Sequence, residues 1–319
     1  MAVVLAAVAF GSTFVPVQDA IRHAGTVPFL AIRFLFGAAL LVPFARRRIN
    51  PRVLAAGVRC GVPLLAGYLF QTVGLRFTTT SISAFVTYLL VVIVPLLEAA
   101  RWRRPPPLPV AAGVVLATAG LFLLTGARLS LGRGVLLTLG CAVAFAVNIV
   151  EIDRAVRQTG VDPIPLTAVQ LGVVGLGCLV PGALLGGYAM PASSYGAALY
   201  TGVVASALAF GLQVWGQRRV GPTRTSLLLM IEPVTAAVIG AFTGARLGVV
   251  AALGAGLILA GIVAAEARGI ATRGSRLLCS GAWPTRRSPA PPSPPGTAAS
   301  SPAPSTSRRP PAGSATTNG

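Results

Sequence analysis

Apolar residues fall into ten blocks, at 2–21, 27–44, 54–74, 81–99, 108–125, 131–150, 164–185, 195–215, 223–243 and 247–265. Each is about 18–22 residues long, the length an α-helix needs to cross the roughly 30 Å hydrocarbon layer of a bilayer. Barrel strands would alternate with period two, and these blocks do not. The pattern predicts an all-α membrane protein with ten transmembrane helices. Connections of about 4–12 residues predict that neighbouring helices run antiparallel.

The polar residues inside the blocks are few. In the stretch 225–242, Glu232 sits next to Pro233 near mid-membrane. A charge in hydrocarbon is costly, so an ionisable residue there is a functional candidate by default. Proline removes a backbone hydrogen bond, which is tolerated at that depth where the backbone lines a cavity or is buried in protein. Two readings of Glu232 stand side by side: a proton carrier, or a structural partner of an arginine or of backbone freed around Pro233. Arg33 lies about two turns inside its block, where it either binds an anionic group or holds the bundle together by an ion pair. Ser12, Thr13 and Pro16 interrupt the first block, as in the discontinuous helices that form transporter sites. Gln71, Thr87, Tyr88, Asn148, Gln170, Gln213 and Trp215 are further candidates to line a solute pathway. Each could equally make a helix–helix hydrogen bond. Asp19 and Glu98 lie at block ends.

Composition agrees with the pattern. Of 319 residues 54% are hydrophobic and 10% charged, with mean hydropathy +0.78, against about 25% charged in soluble domains. The net charge of +19 comes from arginine alone, with no lysine. These arginines sit in loops and a tail, which argues against a nucleic-acid partner. Twelve are in one alternating set of loops, at 46, 47, 48, 52, 101, 103, 104, 154, 157, 218, 219 and 224. The other set holds five, at 22, 76, 128, 133 and 246. The excess marks the first set as cytoplasmic and places both termini inside. Cys60, Cys141, Cys178 and Cys279 lack metal-ligand spacing, and His23 is the sole histidine, so neither a metal nor a cofactor is expected. Sequences for HExxH, GxSxG or a Walker loop are missing, so the chain does not read as an enzyme. Residues 269–319 are rich in proline, serine and arginine and read as a disordered cytoplasmic tail.

The two halves repeat. Ala111–Gly120 and Ala252–Gly261 share the pattern A-x-G-x-x-L-x-x-A-G, Ala9-Phe10 matches Ala144-Phe145, and Pro95 matches Pro233. Five blocks per half is an odd number, so the second half lies upside down relative to the first. The repeats span 1–126 and 127–268.

The motifs FGSTFVPVQDAI from Phe10, PFLAIRFLFGAALLVPF from Pro28, GLRFTTTSISAFVTYLLVVIVPLLEA from Gly74, LLLMIEPVTAAVIGAFTGARL from Leu227 and LGAGLILAGIVAAE from Leu253 resemble the EamA family of the drug/metabolite transporter superfamily. The likeness covers residues 1–266. It implies two inverted five-helix repeats in the cell membrane, a central cavity formed by helices one to four and six to nine, and export or import of a small organic solute. Glycine-rich helices five and ten would pack within or between protomers, the latter giving a homodimer, in contact with membrane lipids. The sequence departs from the family in two places: Gly244-Ala245 stands where Gly-Glu is common, and the second half has Gln170 near the position matching Arg33.

The expectation is a secondary transporter of a small metabolite or amphipathic compound working outward by alternating access, with proton coupling following from the first of the two readings of Glu232. The alternative is an integral membrane protein without transport, such as a lipid-handling enzyme or a partner-binding module. Transport calls for a polar-lined cavity between the halves, whereas a scaffold would have a dry core. Reporter domains fused to the two termini are expected to lie on the same, cytoplasmic, face. Opposite faces would mean an odd number of crossings and would break the pairing of the halves.

Overall fold

The computed structural model describes residues 1–13, 16–17, 20, 24–127, 132–185, 187–243 and 248–279, with side chains up to 265. Its contacts divide the chain into Met1–Ser275, which carries the bundle, and Arg276–Gly319. Among the described residues there are helices and no strand. In order they are α1 (Ala2–Ser12), α2 (Thr26–Ala45), α3 (Pro51–Gly74), α4 (Thr80–Tyr88), α5 (Leu90–Trp102), α6 (Leu108–Thr125), α7 (Arg133–Asp153), α8 (Pro163–Leu185), α9 (Ala192–Thr201), α10 (Phe210–Val220), α11 (Pro222–Leu229), α12 (Ile231–Phe242) and α13 (Val249–Cys279). A 3-10 turn, Arg46–Arg48, follows α2, and π-helical turns occupy Arg154–Gln158 and Gly202–Ala209. Eight spans are long and apolar enough to cross a membrane, and two apolar stretches are shorter, Ala2–Ser12 and Val249–Ala265.

Local chemistry sets several boundaries. The Asn50 side chain accepts the N–H groups of Arg52 and Val53 at 3.0 Å and starts α3, supplying partners that the first turn lacks. Gly126 at φ 58° ends α6 in the left-handed conformation that glycine adopts without a Cβ clash.

Two expected single helices are divided. The block 81–99 breaks at Leu89 and the block 223–243 breaks at Met230. At the second break the cause is visible. Pro233 has no N–H for the Leu229 carbonyl, so the helix restarts at Ile231 and leaves the proline in a first turn, where a missing donor costs little. Glu232 lies in that same first turn, at the positive end of the new helix dipole. The first block differs too from the single apolar stretch over 2–21 that hydropathy predicts. Here α1 stops at Ser12, whose hydroxyl donates to the Ala9 carbonyl, while the Thr13 hydroxyl donates to that of Phe10, both at 2.8 Å. Such back-bonding competes with helix continuation. Asp19 and His23, and Gly244-Ala245, lie outside the described residues.

The helices pack as one bundle. α2 lies along α8, α3 along α7 and α8, and α1 against α10 and α12. One core cluster joins α4, α5, α6, α11 and α13 around Phe85, Leu121, Met230 and Ile258. Another joins α2, α3, α8 and α10 around Phe34, Leu64, Leu171 and Phe210.

The glycines shared by the repeated sequence pattern touch one another across α6 and α13. A Cβ on Gly120 would come within 2.5 Å of the Gly254 carbonyl oxygen, and one on Gly254 within 2.5 Å of the Gly120 oxygen. Gly113 and Gly261 make the same reciprocal contact at 2.5 and 2.6 Å. Two crossings seven residues apart on each helix let the backbones meet without side chains between them. Within one chain, this is how α6 and α13 use their glycine faces.

Gly254→Ala therefore forces a methyl onto backbone that cannot yield. Overpacking of this kind costs about 1–3 kcal/mol, and the thermal unfolding midpoint in detergent is expected to fall by several degrees. Gly256→Ala, where nothing lies within 4 Å of the new Cβ, should leave the midpoint unchanged or raise it, since alanine favours helix over glycine.

Candidate functional site

Between the two core clusters runs a cavity of about 310 Å³, at the lower end of the range for small-molecule sites. Thr26, Thr72, Leu75 and Thr80 carry its lining to the end of the bundle that bears the turn between α3 and α4, where α2 begins. At its inner part the lining includes Arg33, Tyr88, Asn148, Gln213 and Glu232. Among the described residues, one cation and one carboxylate thus share an otherwise largely apolar chamber.

Arg33 comes from α2 and is buried. Its Nε donates to Ser206 Oγ at 3.1 Å. The approach requires small residues: a Cβ on Gly37 would lie 2.6 Å from the Ser206 Cβ, and one on Gly202 2.9 Å from the Arg33 carbonyl oxygen. Ser206 sits in the π-helical turn Gly202–Ala209, a widened turn of the sort often found at functional sites. The Arg33 guanidinium also lies 5.2 Å from the Phe34 ring centroid, a cation–π distance.

Aromatic rings form one wall. Phe10 meets Phe210 edge to face at 5.0 Å, and Tyr68 meets Phe145 in the same manner at 5.2 Å. Phe34 links the two pairs, 4.9 Å from Tyr68 and 6.1 Å from Phe210. Each such pair contributes about 0.5–1.5 kcal/mol beyond burial of area, so the wall is stiff.

Glu232 borders the chamber, only partly covered, because the cavity reaches it, and its backbone lies against α1, where a Cβ on Gly11 would come within 2.7 Å of the Glu232 carbonyl oxygen. The Tyr88 hydroxyl is its hydrogen-bonding neighbour, and Arg33 acts on it across the chamber. Gln71 Nε2 donates to Thr87 Oγ1 at 3.4 Å, beside the break in the span Thr80–Trp102. The breaks at Leu89 and Met230 thus bring a phenol and a carboxylate together from two spans.

The other end of the bundle is shut. Asn148 Nδ2 donates to the Cys60 carbonyl at 2.7 Å and contacts Gln170 Oε1 at 3.4 Å. Below them Val53, Ala56, Ile152, Leu166 and Val214 form an apolar plug. Beyond the plug are polar ties between early and late parts of the chain. Arg48 pairs with Asp162 at 2.9 Å, Arg59 with Glu151 at 4.0 Å, and Arg101 donates to Gln158 at 2.9 Å. Glu98 accepts the Thr223 N–H at 3.2 Å and the Thr223 hydroxyl, so it caps α11. All these residues belong to or adjoin the arginine-rich loops, which therefore share one end. Exposed ion pairs contribute about 0–1 kcal/mol each, so these ties close the end without fixing it.

Of the residues expected along a solute pathway, Thr13, Arg33, Gln71, Thr87, Tyr88, Asn148, Gln213 and Glu232 line the chamber. Gln170 is fully buried behind it, and Ser12 is turned back on its own helix. Pro233 acts through the break before it. Pro16 is helical and outside the lining. Trp215 is 43% exposed on the outer surface, with the Arg219 guanidinium 4.5 Å from its ring. Tyr68, Ser83 and Ser206 were not anticipated. A tyrosine within an apolar block was a readable sign for the first. Only the fold reveals Ser206, since its value lies in facing Arg33.

Residues 1–126 and 132–265 each match the model of the EamA-like transporter family. An uncharacterized transporter of Archaeoglobus fulgidus is 27% identical over 270 residues, covering 83% of this chain and 94% of that protein. A second uncharacterized transporter of the same organism is 30% identical over 153 residues, and there the match spans about half of each protein, 48% of both. A protein of known crystal structure shares the fold, with TM-score 0.73 over 82% of this chain and 95% of its own at 20% identity. With both halves matched, the chain belongs to the EamA-like transporter family.

Proposed function

We propose that the chain is a secondary transporter of the cell membrane that carries a small amphipathic metabolite through the chamber by alternating access, most readily outward. The observation that carries this reading is the chamber itself: polar and charged at its inner part, extended to one end of the bundle, and sealed toward the other by a thin plug and weak ties. A scaffold without transport would fill that volume. An acceptor oxygen of the solute would engage Arg33, and its apolar body would rest against the aromatic wall. The affinity of such sites comes from apolar area, while a few polar groups give orientation.

Two inverted repeats of five helices, making ten in all, account for the contacts in pairs. Phe10 with Phe210 corresponds to Phe145 with Tyr68. α1 on α12 corresponds to α7 on α5, and α2 along α8 corresponds to itself. The reciprocal glycine crossings of α6 and α13 lie where a two-fold axis would pass. Such an arrangement supplies alternating access directly, because exchanging the conformations of the two repeats opens the opposite end. The arginine-rich end is the cytoplasmic one by the positive-inside rule, so the present conformation faces outward, and both termini are cytoplasmic.

Glu232 is the proton-carrying group in this reading. It is the carboxylate at the chamber, on a helix restart, beside Tyr88 and opposite Arg33. Uptake of a proton by Glu232 as the solute leaves the chamber would couple the two events as proton antiport. In proteoliposomes screened for transported solutes, Glu232→Gln is expected to fold normally and to abolish the dependence of flux on a pH gradient. Gradient-driven flux unchanged in this variant would reject the proton-carrier role.

A further inference from the structure

Arg33 and Gln170 occupy equivalent places. Arg33 is the eighth residue of α2, and Gln170 is the eighth residue of α8. Each lies about 10 Å along its helix from the first residue, given 1.5 Å per residue, but at opposite ends of the bundle. Each has its backbone carbonyl under a glycine of a helix from the other half. A Cβ on Gly202 would be 2.9 Å from the Arg33 oxygen, and one on Gly61 would be 3.1 Å from the Gln170 oxygen. The aromatic pairs beside them are matched as well. What differs is exposure to solute: Arg33 lines the chamber, while Gln170 is sealed with 0% of its surface exposed.

Gln170 is also incompletely bonded. Its Oε1 meets the Asn148 amide, but Nε2 has no hydrogen-bond partner. A buried amide donor without a partner is rare in folded proteins and calls for an explanation. Between Gln170 and the arginine-rich end lie the apolar plug and the polar ties.

We propose that Gln170 is the second half of the solute site, closed here behind Asn148 and presented to the solute when the chain opens at its arginine-rich end. This rests on the alternating-access reading of the chain. In one conformation an acceptor oxygen of the solute, of the carboxylate or phosphate class, meets the guanidinium of Arg33. In the other it meets the neutral amide donor of Gln170. The unsatisfied Nε2 is the donor held for that oxygen. Exchange of a cation for an amide loosens the grip on an anionic group at the arginine-rich end, so the two faces of the carrier differ in affinity.

Single-cysteine variants of the full chain test this, made in a background with Cys60, Cys141, Cys178 and Cys279 replaced. They are labelled by a membrane-impermeant maleimide in right-side-out and inverted vesicles. Gln71→Cys, in the present chamber, is expected to react from the arginine-poor face. Gln170→Cys and, as a second variant should that one misfold, Thr167→Cys, one turn nearer the arginine-rich end of α8 and likewise fully buried, are expected to react at least tenfold faster from the arginine-rich face than from the other. If Gln71→Cys reacts while both of the others are inert from either face, the inference fails and the transport reading stands. Equal reactivity from the two faces also overturns it. If Gln71→Cys is itself inert, there is no wet chamber, and the transport reading falls along with this one.

Discussion

Inside a bilayer a polar group has no water to turn to, so each must be satisfied by protein or by a wet cavity. That constraint organises this molecule. Arg33 is held by Ser206 and the ring of Phe34. Glu232 has Tyr88 and the helix end on which it sits. Asn148 reaches the Cys60 carbonyl of another helix. Each arrangement needs two or three helices at one fixed separation, so the polar groups set the register of the bundle while apolar packing supplies its cohesion.

The separations themselves come from residues without side chains. Gly37, Gly61 and Gly202 bring helices together where the polar groups lie, and four glycines do so where α6 crosses α13. Between lipid-soluble helices, burying apolar area gives little advantage, since lipid is as apolar as leucine. Close backbone contact then carries more of the packing than it would in water. The chamber persists because its walls are fixed at glycine contacts on one side and by linked aromatic rings on the other.

Much of this was legible in the sequence. Block length and composition report the membrane and the helices, because a bilayer imposes one length on every crossing. A carboxylate beside a proline pointed to Glu232 and to a disturbance of its helix. The position of that disturbance was not legible. It falls at Met230, which leaves Pro233 in the first turn of the restarted helix, where a missing donor costs little, although α2, α3, α5 and α8 each carry a proline in their interior. The break at Leu89 has no proline close by and gave no sign. Ser12 and Trp215 looked like their neighbours in sequence, yet one bonds its own backbone and the other stands on the outer surface. Side-chain direction depends on helix phase around a bundle, and a chain of nearly uniform hydropathy does not encode that phase. Gln170 seemed only a departure from Arg33. Its burial and its unmet donor required coordinates.

The π-helical turn at Gly202–Ala209 sets its span apart from α3, which runs as unbroken α-helix from Pro51 to Gly74 with Pro63 within it. A π turn closes its hydrogen bonds over one residue more than an α turn. Loss of a single residue there would restore ordinary winding and swing α10 by about 100° about its axis, the angle per residue of a helix with 3.6 residues per turn. Phe210 and Gln213 would leave the chamber together. Chain length at this point is consequently as much a part of the chamber's lining as any side chain.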